Sequence, residues 1–306
     1  VSPEPGPGWQ PDHEIELFAG TPAGGGQDRV ARALAAGLAG VLDVPIRVTN
    51  VPGRGGGNAW DELTDRAGDP HRLAISSPTL VTNPLVGVSD LEPDVLAHLA
   101  VLCNEYIAFA VPVDSWIPDA AGLIEIMTEP RDLVVAFATE RGNVNHMALA
   151  ELCRHQGSDP RQLSIRVFES ARHAVADVLE SESDLVAVTA ASVVPELAEG
   201  LVEVLAVSSP ARLAAPFESV PTWAELGVEC TIGTWRGVIG PPDLSEEQIT
   251  FWNGAVEAAL ATGSWRDART RHVWSDTHVS GAAAREFVVE ESARMEFALR
   301  AVGLIA

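Results

Sequence analysis

Three consecutive glycines followed by an amide and a carboxylate, Gly24-Gly-Gly-Gln-Asp28, are suited to holding an anion without reacting with it. Glycines leave their backbone N–H groups unshielded and free to bend around a ligand. Just before them stands Gly20-Thr-Pro-Ala23, and before that the alternating run Glu14-Ile-Glu-Leu-Phe18, which predicts a β-strand. Just after Asp28, Val30, Ala31, Leu34, Leu38, Val41 and Leu42 recur at helical spacing. The glycines therefore fall on a strand-to-helix turn, with Asp28 placed to cap the helix. A helix start adds about half a positive charge and a set of inward N–H donors. The same composition also makes a plain flexible turn, and this stretch alone does not choose between the two.

Reactive constellations are missing by contrast. There is no Gly-x-Ser-x-Gly elbow and no His-Glu-x-x-His, and the eight histidines show no ligand spacing. The glycines are contiguous, so the Gly-x-Gly-x-x-Gly dinucleotide fingerprint does not follow the first strand, and a Walker lysine is excluded because every basic residue is arginine. The pattern favours binding over chemistry, with no metal and no cofactor expected.

Composition narrows the partners. The formal charge is −23, from 43 acidic against 20 basic residues, which disfavours nucleic acid and anionic membrane surfaces. An anion must then be captured by a local pocket working against the global field. Three dispersed cysteines, Cys103, Cys153 and Cys230, exclude a disulfide framework and point to buried thiols. No apolar run approaches membrane-spanning length. The opening Val1-Ser-Pro-Glu-Pro-Gly-Pro-Gly-Trp9 reads as a Pro/Gly-rich leader, following a removed targeting segment or an arbitrary boundary.

The elements that must position the glycine turn alternate between strand and helix. Val44–Asn50 predicts a second strand, running into the second glycine turn Val51-Pro-Gly-Arg-Gly-Gly-Gly-Asn58 and a helix through Trp60, Leu63 and Arg66. Leu73–Ser77 is a third strand, ending in hydroxyls with Thr79 beyond. Leu96–Leu102 and Tyr106–Val111 are apolar strand-like runs separated by Cys103-Asn-Glu105, and they mark the passage to a second unit. There the pattern repeats. Leu133–Ala138 leads to Thr139-Glu-Arg-Gly-Asn-Val-Asn-His146 and a helix, Ile165–Phe168 to Glu169-Ser-Ala-Arg-His173 and a helix, and Leu185–Val188 to Thr189-Ala-Ala-Ser192. Val202–Ser208 is a last strand of that unit, and Pro210–Pro221 a loop returning to the first. Thr234–Ile239 and three helices near Ser245–Ala261, Ser264–Arg271 and Gly281–Val302 complete an α/β chain. Strand ends carrying Gly, Ser or Thr in succession are where open α/β sheets bind ligands.

Taken in this order, the chain resembles the substrate-binding proteins of tripartite tricarboxylate transporters, the Bug or TctC-like family. The resemblance runs from about Glu14 to Leu304 and rests on Pro22-Ala-Gly-Gly-Gly-Gln-Asp28, Asn50-Val-Pro-Gly-Arg-Gly-Gly56, Glu105-Tyr106 and His146. It continues through Leu205-Ala-Val-Ser-Ser209, Val220-Pro-Thr-Trp-Ala-Glu-Leu-Gly227, Trp235-Arg-Gly-Val238 with Pro241-Pro242, and Glu290-Glu-Ser-Ala-Arg294. It implies a type II periplasmic-binding-protein-like fold: two lobes, each a mainly parallel sheet flanked by helices, joined by a two-strand hinge. Lobe 1 would be residues 13–104 plus 222–306, lobe 2 residues 105–221, and residues 1–12 a flexible leader. It also implies an extracytoplasmic location after removal of a signal segment, a small di- or tricarboxylate in an interlobe cleft, and delivery to membrane permease subunits, without catalysis.

The resemblance assigns ligand contacts to Thr21, Pro22, Ala23, Gly24, Gly25, Gly26, Gln27, Asp28, Gly55, Gly56, Asn58, Ser77 and Thr79 of the first lobe. From the second it assigns Asn143, Asn145, His146, Ser170, Arg172 and Thr189. Asn143 and Asn145 serve equally as helix caps. The second-lobe turns depart from the family pattern: Arg141-Gly-Asn-Val-Asn-His146 lacks the usual Ser/Thr, and Glu169-Ser-Ala-Arg172 and Thr189-Ala-Ala-Ser192 lack their glycines. Alternative readings are a ligand sensor for a signalling receptor, a binder of a neutral or zwitterionic metabolite, and an α/β enzyme.

Overall fold

The computed structural model describes residues 8–301 and 303–305. Along the chain come β1 (Ile15–Ala19), α1 (Gly26–Leu38), β2 (Ile46–Asn50), α2 (Gly57–Thr64), β3 (Arg72–Ser76), α3 (Thr79–Leu85) and β4 (Ala97–Pro112). There follow α4 (Ala120–Ile126), β5 (Val134–Ala138), α5 (Val144–Gln156), β6 (Ser164–Phe168), α6 (Ala171–Leu179), β7 (Leu185–Thr189), α7 (Val194–Ala198) and β8 (Val202–Val207). The chain closes with β9 (Gly233–Gly240), α8 (Glu246–Leu260), α9 (Gly263–Arg271), β10 (Ser275–Ser280) and α10 (Ala282–Ala301). The fold is α/β, as the alternation of the sequence requires.

The chain divides into two compact units. Unit 1 takes the residues up to Cys103, Trp235–Arg269 and Asp276–Ser292; unit 2 takes Asn104–Thr234, Thr270–Ser275 and the stretch from Ala293. The boundaries differ from those expected. Residues 222–234 fall in unit 2 because Trp223 packs edge-on against Phe109 at 5.0 Å and the Cys230 thiol faces the Ala148 carbonyl. Residues 270–275 join them because Val273 is buried in the unit 2 core. The two apolar runs flanking Cys103 form one continuous strand, β4, so the chain passes from one unit to the other inside that strand.

In unit 1, β1 is the centre of a parallel trio, paired with β2 from Ile15↔Ile46 to Ala19↔Asn50 and with β3 from Glu16↔Arg72 to Phe18↔Ala74. β9 then runs antiparallel to β3. Parallel pairing in register brings the C-terminal ends Ala19, Asn50 and Ser76 to one edge, and each glycine or hydroxyl turn starts there. α1 covers the sheet with Val30, Ala31, Leu34 and Leu38, all fully buried. Full burial of such a side chain contributes about 1.5–3 kcal/mol. The helix ends at Leu38 rather than continuing to Leu42 as its periodicity suggested, and Val41 is exposed. α8 opens on a reciprocal capping box, Ser245 with Gln248.

Unit 2 repeats the construction. β5 lies between β6 and β7, parallel to both, while the second half of β4 runs antiparallel to β7 and β8. β7 is buried from Leu185 to Val188, as expected of a strand covered on both faces. α5 is buried almost all round, from Val144 through Met147, Leu149 and Leu152 to Cys153. The three cysteines are buried thiols, and burial pushes Cys153 up to about 11.

Residues 1–7 of the expected leader lie outside the described residues, and its second part packs on α8. Trp9 sits edge-on to Phe251 at 5.1 Å, and its backbone N–H donates to Glu247 Oε1 at 2.8 Å. An indole this large buries enough apolar surface to hold the segment.

Gly37 is where α1 meets α8: a side-chain carbon there would stand 2.8 Å from the Ala259 carbonyl oxygen. Gly37→Val is therefore expected to destabilise the protein by about 1–3 kcal/mol, read from the urea midpoint at unchanged slope.

Candidate functional site

The unit 1 site begins with backbone geometry. Gly55 and Gly56 have φ of 61° and 119°, the left-handed region that side chains avoid. A side-chain carbon on Gly20 would overlap Gly56 Cα, so the turn after β1 and the turn after β2 touch backbone to backbone. Gln27 stitches them: its Oε1 accepts the Gly20 N–H at 2.9 Å, and its Nε2 donates to the Gly55 carbonyl at 3.1 Å and Ser77 Oγ at 3.3 Å. The hydroxyls after β3 join the same knot. Thr79 Oγ1 donates to the Gly55 carbonyl at 2.6 Å and lies 2.8 Å from Ser77 Oγ. Asn58 Nδ2 donates to the Pro52 carbonyl at 2.8 Å, closing the second turn.

Asp28 does not cap α1. The N-cap is Gly25, which has no side chain to offer, and Asp28 stands in the first helical turn. It is 2% exposed. From there it accepts the Gly24 N–H at 2.8 Å and Asn50 Nδ2 at 2.8 Å, and it pairs with Arg32. Those donors outweigh burial and hold its carboxyl below the usual range. Thr21 Oγ1 accepts the Asp28 N–H at 3.2 Å, fixing the loop of Thr21, Pro22, Ala23 and Gly24 over the helix start. Thr21, Gly24, Gly25, Gly26, Gln27, Asp28, Gly55, Gly56, Ser77 and Thr79 are thus brought together around one helix N-terminus.

Arg236, on β9, was not among the expected site residues. It is 8% exposed, and its guanidinium lies against Gly26, where a side-chain carbon would stand 2.5 Å from Nη2. A buried guanidinium thus stands beside the positive end of a helix. The signal in the sequence was the pair Trp235-Arg236, but its proximity to Gly26 depends on β9 pairing with β3.

In unit 2 the expected residues divide into two kinds. Asn143 caps α5, accepting the His146 N–H at 3.1 Å and donating to the Ala138 carbonyl at 2.6 Å. Ser170 caps α6. Thr189 Oγ1 lies 2.9 Å from Ser192 Oγ, and Arg172 is exposed on the first turn of α6. His146 is buried, stacks on Phe137 at 5.5 Å, and takes the Gly142 N–H on Nδ1 at 3.0 Å. Burial and then the Arg141 charge push it down to about 4, so it is neutral. Asn145 is 8% exposed. Its Oδ1 is a buried acceptor with no hydrogen-bond partner among the described residues, and so is Oε1 of Glu140. Glu140 was also missed in the sequence. Burial raises its carboxyl to about 7, next to Thr139 with φ of 77°.

Two predictions follow from these contacts. Gln27→Ala leaves the buried Gly20 N–H without its partner, removes one of the two donors to the Gly55 carbonyl, and is expected to cost about 1–3 kcal/mol in urea unfolding. For Glu140 the folded state holds its proton more tightly than the unfolded one, so stability falls as pH rises from 4.5 to about 7 and stays low above it. Glu140→Gln is therefore expected to stabilise by up to about 3 kcal/mol near pH 8 and by nothing near pH 4, measured by urea unfolding at both.

Comparison with known proteins places the chain. It is 24% identical to Protein BugT of Bordetella pertussis over 307 residues, covering 96% of this chain and 90% of that protein. Among solved structures, R. palustris Rpa4515 with adipate matches with a TM-score of 0.87 at 23% identity, covering 97% of this chain and 99% of that one. MatC (Rpa3494) from Rhodopseudomonas palustris with bound malate matches with a TM-score of 0.82 at 24% identity, covering 95% and 100%. The family model for the tripartite tricarboxylate transporter family receptor, TctC, matches residues 30–304. The chain belongs to this TctC family of solute-binding receptors.

Proposed function

We propose that the protein is an extracytoplasmic receptor that captures a small di- or tricarboxylate and delivers it to a tripartite tricarboxylate-type membrane transporter, without catalysis. The observation that supports this most directly is the unit 1 corner where the α1 N-terminus, the Gly24–Gly26 backbone and buried Arg236 converge. Backbone N–H groups and a guanidinium suit a carboxylate, and bidentate geometry favours Arg over Lys. The family, and neighbours solved with adipate and malate, support the ligand class. No helix among the described residues is long and apolar enough to cross a membrane, so membrane delivery would depend on partner subunits.

A second reading, a neutral or zwitterionic ligand, is favoured by one feature. Glu140 Oε1 and Asn145 Oδ1 are buried acceptors that call for hydrogen-bond donors, which a fully ionised carboxylate lacks.

Calorimetric titration of ligand-stripped protein with malate, adipate and citrate decides between the readings. Binding near micromolar, about −8 kcal/mol, is expected for at least one acid, weakened about tenfold or more by Arg236→Lys. No heat with any of them, together with release of a neutral or zwitterionic molecule when freshly purified protein is denatured, would favour the second reading.

A further inference from the structure

At the start of unit 1, away from the glycine turns, folding gathers three metal-ligating side chains. Asp12 Oδ1 lies 2.7 Å from His13 Nδ1 and 3.3 Å from His71 Nε2, and that Nε2 also accepts the Asp12 backbone N–H at 3.3 Å, a bond that an ion would replace. The two rings stack, with centroids 3.6 Å apart and planes 23° apart. One ligand atom from each of the three residues lies within 4.8 Å of the others. The eight histidines show no ligand spacing along the sequence, and only the fold unites His71 with Asp12-His13.

The surroundings resemble the outer shell of a metal site. His71 is 6% exposed, and Trp9 meets its ring edge-on at 5.6 Å. On the far side of that ring, Asp69 Oδ1 lies 3.6 Å from Nδ1 and also accepts the His71 backbone N–H at 3.0 Å. At 3.6 Å the carboxylate does not yet hydrogen-bond Nδ1, but it stands where a small approach would fix the orientation in which Nε2 serves as ligand. Asp12 and His13 are exposed, which leaves them room to draw in around an ion and leaves further coordination positions to water. An acidic chain also concentrates cations near its surface.

We propose that Asp12, His13 and His71 bind one divalent first-row transition ion, with Asp69 as the positioning residue behind His71. Two imidazole nitrogens and one carboxylate oxygen suit zinc, nickel or copper better than calcium or magnesium, which prefer oxygen ligands. Bound there, the ion ties residues 12 and 13, just before β1, to the loop before β3. It thereby reinforces the Trp9 contacts that already hold this segment against α8.

The test uses the untagged chain, stripped with a chelator and titrated with zinc chloride by calorimetry at neutral pH. One equivalent is expected to bind, and zinc is expected to raise the thermal unfolding midpoint. His13→Ala and Asp12→Asn should each weaken binding by more than about tenfold and remove the zinc-dependent rise. Both residues are exposed, so each variant should keep the wild-type circular dichroism and chelator-treated midpoint. Asp69→Asn should weaken zinc binding while leaving carboxylate titrations unchanged. The proposal is overturned if the wild-type chain takes up no zinc, or if His13→Ala and Asp12→Asn bind it as tightly as the wild type.

Discussion

Unit 1 depends on two glycine backbones being in contact. A side-chain carbon on Gly20 would overlap Gly56 Cα, and one on Gly56 would run into Gln27 and Trp60, so the close approach lets one glutamine amide reach both turns and Ser77. Parallel, in-register pairing of β1, β2 and β3 supplies the common edge, but it does not fix the loops that leave it. The fixing is done by buried hydrogen bonds, each of which leaves an unsatisfied partner if removed. The loops are therefore set before any ligand arrives, which lowers the ordering cost of binding.

Unit 2 uses the same strand-to-helix layout with a different polar balance. Around α1 the side-chain amides and carboxylates are consumed by backbone and by one another. Around α5, Asn143 is consumed as a cap, whereas Glu140 and Asn145 each keep a buried acceptor atom without a partner among the described residues. The neighbouring His146 and Glu140 are both driven toward their neutral forms by burial, one downward and the other upward. Burial thus disfavours ionisation of these two unit 2 groups, whereas the buried Asp28 of unit 1 is held ionised by its donors.

Much of this was legible in the residues. Periodicity gave α1, the parallel trio and the repeated strand–helix units, because a 3.6-residue stripe and short buried runs are strong local signals. Glycine turns marked the candidate unit 1 site for the same reason: backbone that must approach backbone excludes other residues. What could not be read were features set by partners distant in sequence. Asp28 has the composition of a cap, yet its acceptors are taken by Gly24, Asn50 and Arg32 once the β2 end lies alongside. Arg236 reaches Gly26 only through the pairing of β9 with β3. β10, Ser275–Ser280, has no apolar run and owes its strand conformation to pairing with β4. Trp9 sat in a Pro/Gly-rich stretch that looked mobile, and its anchor on Phe251 lies at the other end of the chain.

The internal pairing of Asp28 also sets how the corner responds to ionic strength. With that carboxylate neutralised by Arg32 and hydrogen-bonded to Gly24 and Asn50, the corner presents N–H dipoles beside a buried guanidinium. Such short-range, water-poor interactions are screened little by dissolved ions. The −23 formal charge acts over longer distances, and at physiological salt its field is cut off within about 8 Å. Salt therefore removes the repulsion an approaching anion meets without loosening what would hold it. Capture of a carboxylate would quicken as salt rises, opposite to the trend when opposite charges steer the encounter.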